Sequence, residues 1–565
     1  MKTVLLYICC YCLCFNLREI KAQWSSDPTQ NNLVAITDYY QEAPALCSDR
    51  DGGALVIWSE MRTNGWRIYG QHFDAYGYLH WAAEGIRICL NEQFQSAAQI
   101  IMDENGNSFV LWIDGRQGGN NMDLYAQKIS VTGELLWNTT GLPITTADCY
   151  QLGKMISDGN EGIIIAWENN FCNIFDIYAH RIDKNGNKKW NSFGVPICTE
   201  ENDQFSLEMI SDGKGGAIII WRDDRNGGYF NIYAQRIDYD GNVKWIPNGI
   251  PVCVGNYKQL TSGIVEDQKG GAIILYEDYQ NGDADLHVQR IDSIGNVKWS
   301  SSGIVIASGS KEQRGIIISD NNGGAIITWW VYDEVDDLYA QRIDSNGTKL
   351  WGADGIIVCG FAWAQQLAQM VSDDDGGAII AWVDSRNGIS DIYAQRISND
   401  GLIKWNPDGV PICTAEESQD RISIEKDGSG GAIIVWEDNR GLFRKIYIAQ
   451  IDASGNLGGG PSVINNESNE ILEFNLCQNY PNPFNPSTVI SYRLPVIGFV
   501  TLKVYDILGR EVATLVNEEK PAGEYEVEFD VVSHSGEVRN LPSGIYFYQF
   551  KAGEFSQTKK MILLK

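Results

Sequence analysis

The stretch that decides the fold runs Phe205-Ser-Leu-Glu-Met-Ile-Ser211, Asp212-Gly-Lys-Gly-Gly216, Ala217-Ile-Ile-Ile-Trp221, then Asn231-Ile-Tyr-Ala-Gln-Arg-Ile-Asp238, Val243-Lys-Trp245 and Ile250-Pro-Val-Cys253. Each run is short, rich in β-branched and aromatic residues, and bounded by Gly, Asn or Asp, which is the pattern of strands joined by tight turns. No part of it keeps a 3.6-residue period. The unit recurs. An Asp is followed nine residues later by an aromatic at Asp49/Trp58, Asp103/Trp112, Asp158/Trp167, Asp212/Trp221, Asp267/Tyr276, Asp320/Trp329, Asp373/Trp382 and Asp427/Trp436. The aromatic series advances by about 54 residues each time. A fixed period of that length means a repeat architecture in which neighbouring units bury one another's faces.

Four strands per unit predict an all-β chain with an eight-bladed β-propeller of four-stranded repeats over residues 23–465. Ring closure is also legible. Leu33-Val-Ala-Ile36 occupies the slot of Pro251-Val-Cys-Val254, so an amino-terminal strand is expected to complete the last blade. That last repeat carries Leu457-Gly-Gly-Gly460 where others carry Trp245, Trp299 or Trp405. An open solenoid of the same sheets is the structural alternative.

Composition bounds the function. The chain has 565 residues, a formal net charge of -29, 18 Trp and 26 Tyr. Such an acidic surface repels polyphosphate and excludes nucleic acid as the expected partner. The aromatic content excludes a disordered chain. Lys2 followed by the apolar run Val4–Leu17 and by Ala22 reads as a secretory signal peptide over residues 1–22. That run is too short to span a membrane comfortably, and no other stretch is long enough, so no transmembrane segment is expected. The 13 Cys form no disulfide framework or metal spacing. Cys89, Cys198, Cys253, Cys359 and Cys413 share one repeat slot and read as small buried side chains. No metal site and no cofactor are expected.

Residues that recur in every unit read as scaffold. The repeated Asp before Gly-Gly caps its turn, and the Trp fills the gap between sheets. The motif Trp-x-Asp-x-Arg stands at Trp112/Asp114/Arg116, Trp221/Asp223/Arg225, Trp382/Asp384/Arg386 and Trp436/Asp438/Arg440. It reads as a structural salt bridge, against the alternative of an arginine ring that captures anions. The turns at Asp183, Asp238 and Asp344 look faintly like calcium loops but lack the closing Glu, so they read as hairpins. Specific function is expected where the units differ. In a propeller the loops after the second and fourth strands share a face, and here they carry aromatics. Trp66, Phe171, Phe175, Tyr229, Phe230, Trp330, Tyr332 and Trp363 are the candidate ligand-binding residues, suited to stacking on sugar rings or anchoring a protein partner. No catalytic residue is singled out. A secreted or surface binding and adhesion protein is the leading expectation; a polysaccharide hydrolase or lyase with its site at the pore is the alternative.

After a polar linker, residues 466–473, the repeat stops and a small all-β segment fills residues 474–565. Its stretches Asn479-Tyr-Pro-Asn-Pro-Phe-Asn-Pro-Ser-Thr488, Val504-Tyr-Asp-Ile-Leu-Gly-Arg-Glu-Val512, Leu541-Pro-Ser-Gly-Ile-Tyr546 and Lys559-Lys-Met-Ile-Leu-Leu-Lys565 resemble the type A C-terminal sorting domain of type IX secretion cargo in Bacteroidetes and relatives. The resemblance implies an immunoglobulin-like sandwich, Sec export, recognition by the type IX machinery, and release or attachment at the outer surface.

Overall fold

The computed structural model describes residues 24–63, 65–118, 122–146, 151–171, 174–331, 337–361, 365–458, 475–476, 478–479, 481–494, 498–520, 523–531, 541–552 and 555–564. The expected signal peptide, residues 1–22, and linker, residues 466–473, lie outside them. Every regular element among the described residues is a β-strand. The chain divides into two compact units, Met1–Ser462 and Val463–Lys565.

The first unit contains eight four-stranded antiparallel sheets. Seven are meanders of consecutive strands. The fourth sheet, for example, runs Gln204–Ser211, Ala217–Asp223, Asn231–Ile237, Ile250–Cys253. The eighth joins the two ends of the unit. Gln419–Lys426, Ala432–Asp438 and Lys445–Ile451 come from its far end, and Asn32–Leu33 supplies the fourth strand. The register pairs Asn32 with Ile448 and Leu33 with Tyr447, so Leu33 takes the place that Pro251 has opposite Tyr233. Val34 N then donates to Ile446 O at 3.0 Å.

Local chemistry explains each sheet. The second strand is buried on both faces, so it is a continuous apolar run rather than an alternating one. The first turn is fastened by its Asp. Asp212 Oδ1 accepts from the backbone N–H of Lys214 and of Gly216, both at 2.8 Å. A side chain at Gly216 would come within 2.3 Å of Ile237 O, so only glycine fits there. The other carboxylate oxygen takes Arg236 Nη2 at 2.7 Å. Five further sheets repeat this buried pair, as Asp103–Lys128, Asp158–Arg181, Asp267–Arg290, Asp320–Arg342 and Asp373–Arg396. The loops that looked like calcium sites are turns of the same kind: Asp238 Oδ1 accepts from Asp240 N and Asn242 N.

Adjacent sheets share their cores. Ala217, Ile219 and Trp221 of the fourth sheet pack on Ile164, Ala166 and Ile177 of the third, while its Ile218 and Ile220 pack on Ile274 and Tyr276 of the fifth. The first strand of each sheet touches the first strand of the next, and Gln419–Lys426 touches Tyr40–Ser48, so the order of contacts returns to its start. Trp24 completes that last junction. In six sheets a Trp indole donates to a turn carbonyl of the following sheet, as Trp81 to Val131, Trp137 to Lys184, Trp190 to Tyr239, Trp245 to Ser293, Trp351 to Asn399 and Trp405 to Ala453. The eighth repeat has no Trp in that slot. Trp24 Nε1 donates to Ala75 O of the first sheet at 2.9 Å, and its ring stacks on Phe73 at 5.6 Å.

The second unit has a three-stranded sheet of Asn475–Leu476, Ser487–Leu494 and Gly523–Asp530, and a four-stranded sheet of Glu511–Lys520, Gly498–Tyr505, Gly544–Ala552 and Phe555–Leu563. One core, including Phe484, Ile490, Tyr492, Leu502, Val504, Tyr548 and Phe550, draws on both.

Candidate functional site

The candidate site lies at the sheet ends where first strands begin and second strands finish. Each of the eight first strands has a buried glutamine as its first or second residue: Gln41, Gln95, Gln151, Gln204, Gln259, Gln313, Gln365 and Gln419. Several tie down the preceding connection. Gln204 Nε2 donates to Asn202 O at 2.8 Å, Gln365 Nε2 to Phe361 O at 3.0 Å, and Gln419 Nε2 to Glu417 O at 2.7 Å. This ring of glutamines escaped the sequence reading, although it recurs seven or eight residues ahead of each turn Asp. Aligning the units on that Asp would have found it.

The residue after the repeated aromatic turns toward the neighbouring sheet, and here the units diverge. Glu168 Oε1 accepts from Leu207 N at 3.1 Å, and Glu437 Oε1 from Ala43 N at 2.7 Å. Both bonds land on bulges of a first strand, where Ser206 and Ala43 have φ of 53° and 54°. Such bulges re-aim backbone donors at a sheet end. Arg222 donates through Nε to Thr261 Oγ1 at 3.3 Å and through Nη2 to Thr261 O at 3.1 Å. Glu277 Oε2 accepts from the Tyr279 hydroxyl at 3.0 Å, and Lys258 Nζ stands 4.2 Å over the Tyr279 ring. Burial pushes the carboxyls of Glu168, Glu277 and Glu437 above the usual range, while the Tyr279 hydroxyl, then Arg314, Arg222 and Lys258, pull Glu277 partly back. The result is a polar strip along sheets three to six, with Arg314 at its exposed end.

The candidate aromatics fall into separate groups. Phe230 packs edge-on against Phe205 at 5.0 Å, and Tyr229 beside it is 51% exposed. Trp66 meets Tyr40 edge-on at 5.7 Å in the first sheet. Phe171 pairs with Ile174 at the tip of the third sheet. Phe175 there is half-buried, and its N–H donates to Asp203 Oδ1 at 3.1 Å. Trp330 is only 8% exposed, because it follows the repeated aromatic and packs with Leu338, Trp351 and Met370 between sheets six and seven. Tyr332 and Trp363 lie outside the described residues. The structure therefore groups Tyr229, Phe230 and Phe205, and separates Trp66 with Tyr40.

The arginines of Trp-x-Asp-x-Arg are committed to scaffold. Arg225 grips Asp223 with Nε at 2.7 Å and Nη2 at 2.6 Å, while Nη2 also donates to Asn248 O at 2.8 Å. Trp221 Nε1 donates to the same carboxylate at 2.7 Å, and the guanidinium lies 3.8 Å over Tyr233. Arg116, Arg386 and Arg440 repeat the bidentate grip. An anion-capturing ring would need those donors free. The Sγ atoms of Cys198, Cys359 and Cys413 lie 3.2, 3.3 and 3.0 Å from these guanidinium groups and are buried.

In the second unit the Asn-Tyr-Pro-Asn-Pro-Phe run is an internal clamp. Asn479 Nδ2 donates to Thr488 Oγ1 at 2.9 Å, Asn479 N donates to the Tyr548 hydroxyl at 2.7 Å, and buried Phe484 joins Ile562 through its backbone N–H. Residues 478–564 match the secretion system C-terminal sorting domain. The sorting domain accounts for the sequence motifs of this segment and indicates secretion with attachment at the outer surface. No helix among the described residues is long and apolar enough to cross a membrane. A search of curated proteins gives no match. Among solved structures, the chain is similar to a polysaccharide lyase, an ulvan lyase, at 9% identity, covering 67% of this chain and 96% of that one, with a TM-score of 0.39. It is also similar to an α-L-arabinofuranosidase from Fusarium graminearum at 10% identity, covering 53% and 92%, TM-score 0.30. A third is prolyl oligopeptidase B from Galerina marginata at 12% identity, covering 71% and 55%, TM-score 0.37.

Proposed function

We propose that the eight sheets form a closed eight-bladed β-propeller over residues 23–465, and that this is a surface or secreted binding protein engaging a glycan or protein ligand through its loop face. In this reading residues 1–22 are a Sec leader, residues 466–473 a linker, and residues 474–565 an immunoglobulin-like sandwich read by the type IX machinery. One observation carries the binding role: at the loop face Glu168, Arg222 and Glu437 are spent on neighbouring sheets, while Tyr229, Phe230 and Trp66 present aromatic surface. Aromatic faces beside hydrogen-bonded polar groups suit stacking on a sugar ring or anchoring a partner's apolar side chain. The test is a glycan array and a protein pull-down with the secreted chain. A Tyr229→Ala/Phe230→Ala variant is expected to lose about tenfold or more in affinity, which corresponds to about 1.4 kcal/mol. Unchanged binding by that variant, or silence across both panels, overturns the reading.

A second reading, a polysaccharide hydrolase or lyase, is favoured by Glu277 and Tyr279. A carboxyl raised by burial and joined to a phenol is the kind of pair that moves a proton. Turnover of a polysaccharide by the purified protein, abolished in Glu277→Gln with the fold intact, would establish it.

Export has its own test. Deleting residues 478–565 is expected to hold the remaining chain behind the outer membrane. Phe484→Ala, which empties the sorting-domain core, is expected to reduce surface display without changing ligand affinity. Full display of the truncated chain would refute that assignment.

A further inference from the structure

Six of the eight sheets, the second to the seventh, close their turn Asp with a permanent cation, Lys128, Arg181, Arg236, Arg290, Arg342 or Arg396. The two sheets that meet where the contacts return to their start depart from this. In the first sheet His72 Nε2 stands 3.0 Å from Asp49 Oδ2, with His72 Nδ1 buried. In the eighth, Gln450 Nε2 donates to Asp427 Oδ2 at 2.9 Å. The same junction carries a third departure. Two residues before the turn Asp, the sequence is Ile101, Ile156, Ile210, Val265, Ile318 and Val371 in the second to seventh sheets and Cys47 in the first. In the eighth it is Glu425. That carboxyl helps line a cavity of about 490 Å³ with Cys47, Ser48, Arg50, Ile100, Met102 and Lys426, spanning the eighth, first and second sheets.

We propose that the junction between the eighth and first sheets is a proton-operated latch, closed in mildly acidic medium and loosened as the medium turns mildly alkaline. Glu425 is half-buried in a slot that six other sheets fill with an aliphatic side chain, so its neutral form fits and its ionised form is partly desolvated. Burial pushes its carboxyl from 4.5 up to about 7, and the nearby Lys426 backbone and ammonium groups offset this only in part. Lys426 is itself engaged by Asp374 of the seventh sheet at 2.6 Å. On the first sheet Cys47, Ser48 and Arg50 line the same cavity, and Arg50 Nη2 is turned to Met102 O of the second sheet at 3.3 Å. Asp103 there is held by Lys128. His80, its ring tilted against that of His72 with centroids 4.8 Å apart, is raised by its hydrogen bond to Asp74.

The signs agree. A carboxyl whose folded value lies above its unfolded value takes up a proton on folding, so its stabilising form is fully present below pH 4.5 and is lost as the pH rises through about 7. His80, also raised, likewise favours the folded state at low pH and loses that contribution on titrating upward. Asp–Arg pairs in the other sheets carry no such dependence in this window.

The experiment uses the full secreted chain. Thiol alkylation is followed peptide by peptide at pH 6 and pH 8, with Cys47 compared with Cys198, a buried thiol remote from the junction. The Cys47-to-Cys198 labelling ratio is expected to rise several-fold at pH 8. In Glu425→Val, which restores the aliphatic slot, and in Glu425→Gln, which keeps the shape without the charge, the ratio is expected to stay flat. In parallel, the unfolding constant of the parent should rise by up to about tenfold per pH unit between pH 5 and 7, the limit for one proton, and His80→Gln should flatten what Glu425→Gln leaves. A labelling ratio that does not change with pH in the parent, or that changes equally in both Glu425 variants, overturns the proposal. Loss of ligand binding has no bearing on it.

Discussion

Replacing Trp24 with alanine is expected to cost about 3–5 kcal/mol of stability, the range for emptying a buried Trp site, and to strip hydrogen-exchange protection from Asn32–Leu33 and Lys445–Ile451 together. Trp24 is 4% exposed, stacks on Phe73 and packs with Val34, Leu46, Val435 and Ile446 from both sides of the junction. It also supplies the indole missing from one slot of the eighth repeat. Trp24→Phe keeps the ring but not the bond to Ala75 O, so it should cost only about 1–2 kcal/mol. The graded pair separates packing from hydrogen bonding. If Trp24→Ala unfolds within about 0.5 kcal/mol of the parent, the assignment of this residue as the closing element is wrong.

An equally severe effect is expected at Gly249. Its φ is +89°, and a methyl there would stand 2.4 Å from Trp221 Cη2 and 2.8 Å from Ala234 O. Trp221 has no room to retreat, since its Nε1 is held by Asp223 at 2.7 Å. Gly249→Ala therefore combines left-handed backbone strain of about 1–2 kcal/mol with overpacking of about 1–3 kcal/mol. Gly213 is the control. Its φ is +70° with open space around it, so Gly213→Ala should show the backbone cost alone. Equal losses in the two variants, measured by denaturant unfolding, would mean that the contact with Trp221 is not limiting.

These two sites show what the chain discloses unaided. The Asp-to-aromatic spacing announces a four-stranded unit because turn chemistry and a doubly buried strand are local properties, written within a dozen residues. The slot of Leu33 opposite Tyr447 was legible for the same reason: it repeats the pattern of Pro251 opposite Tyr233. Trp24 was not, because nothing near it in sequence shows that Ala75 lies above it. The functional face was read less well. Aromatics in divergent loops were found by type, but type does not tell which way a side chain turns. Trp330 follows the repeated aromatic directly and so points into the gap between sheets, whereas Tyr229 sits in a free loop and stays exposed. The polar strip of Glu168, Arg222 and Glu277 was missed because each looks like an ordinary surface charge until the neighbouring sheet is in place. Glu425 became visible only when its six aliphatic counterparts and Cys47 were set beside it.

The pairing of the two ends also governs when folding can finish. Asn31 Nδ2 reaches Ile412 O across 381 residues, and Arg440 Nη1 reaches Thr29 O across 411. Bringing such distant segments together costs roughly 5 kcal/mol of loop entropy if nothing intervenes. Seven sheets formed in order would shorten that search to the width of one gap. Until Lys445–Ile451 is present, the amino end has no strand to join and Trp24 has only one wall. A chain threaded through a membrane before that point stays unlatched, so the edge most open to mispairing or proteolysis during transit is the one where its beginning waits for its end.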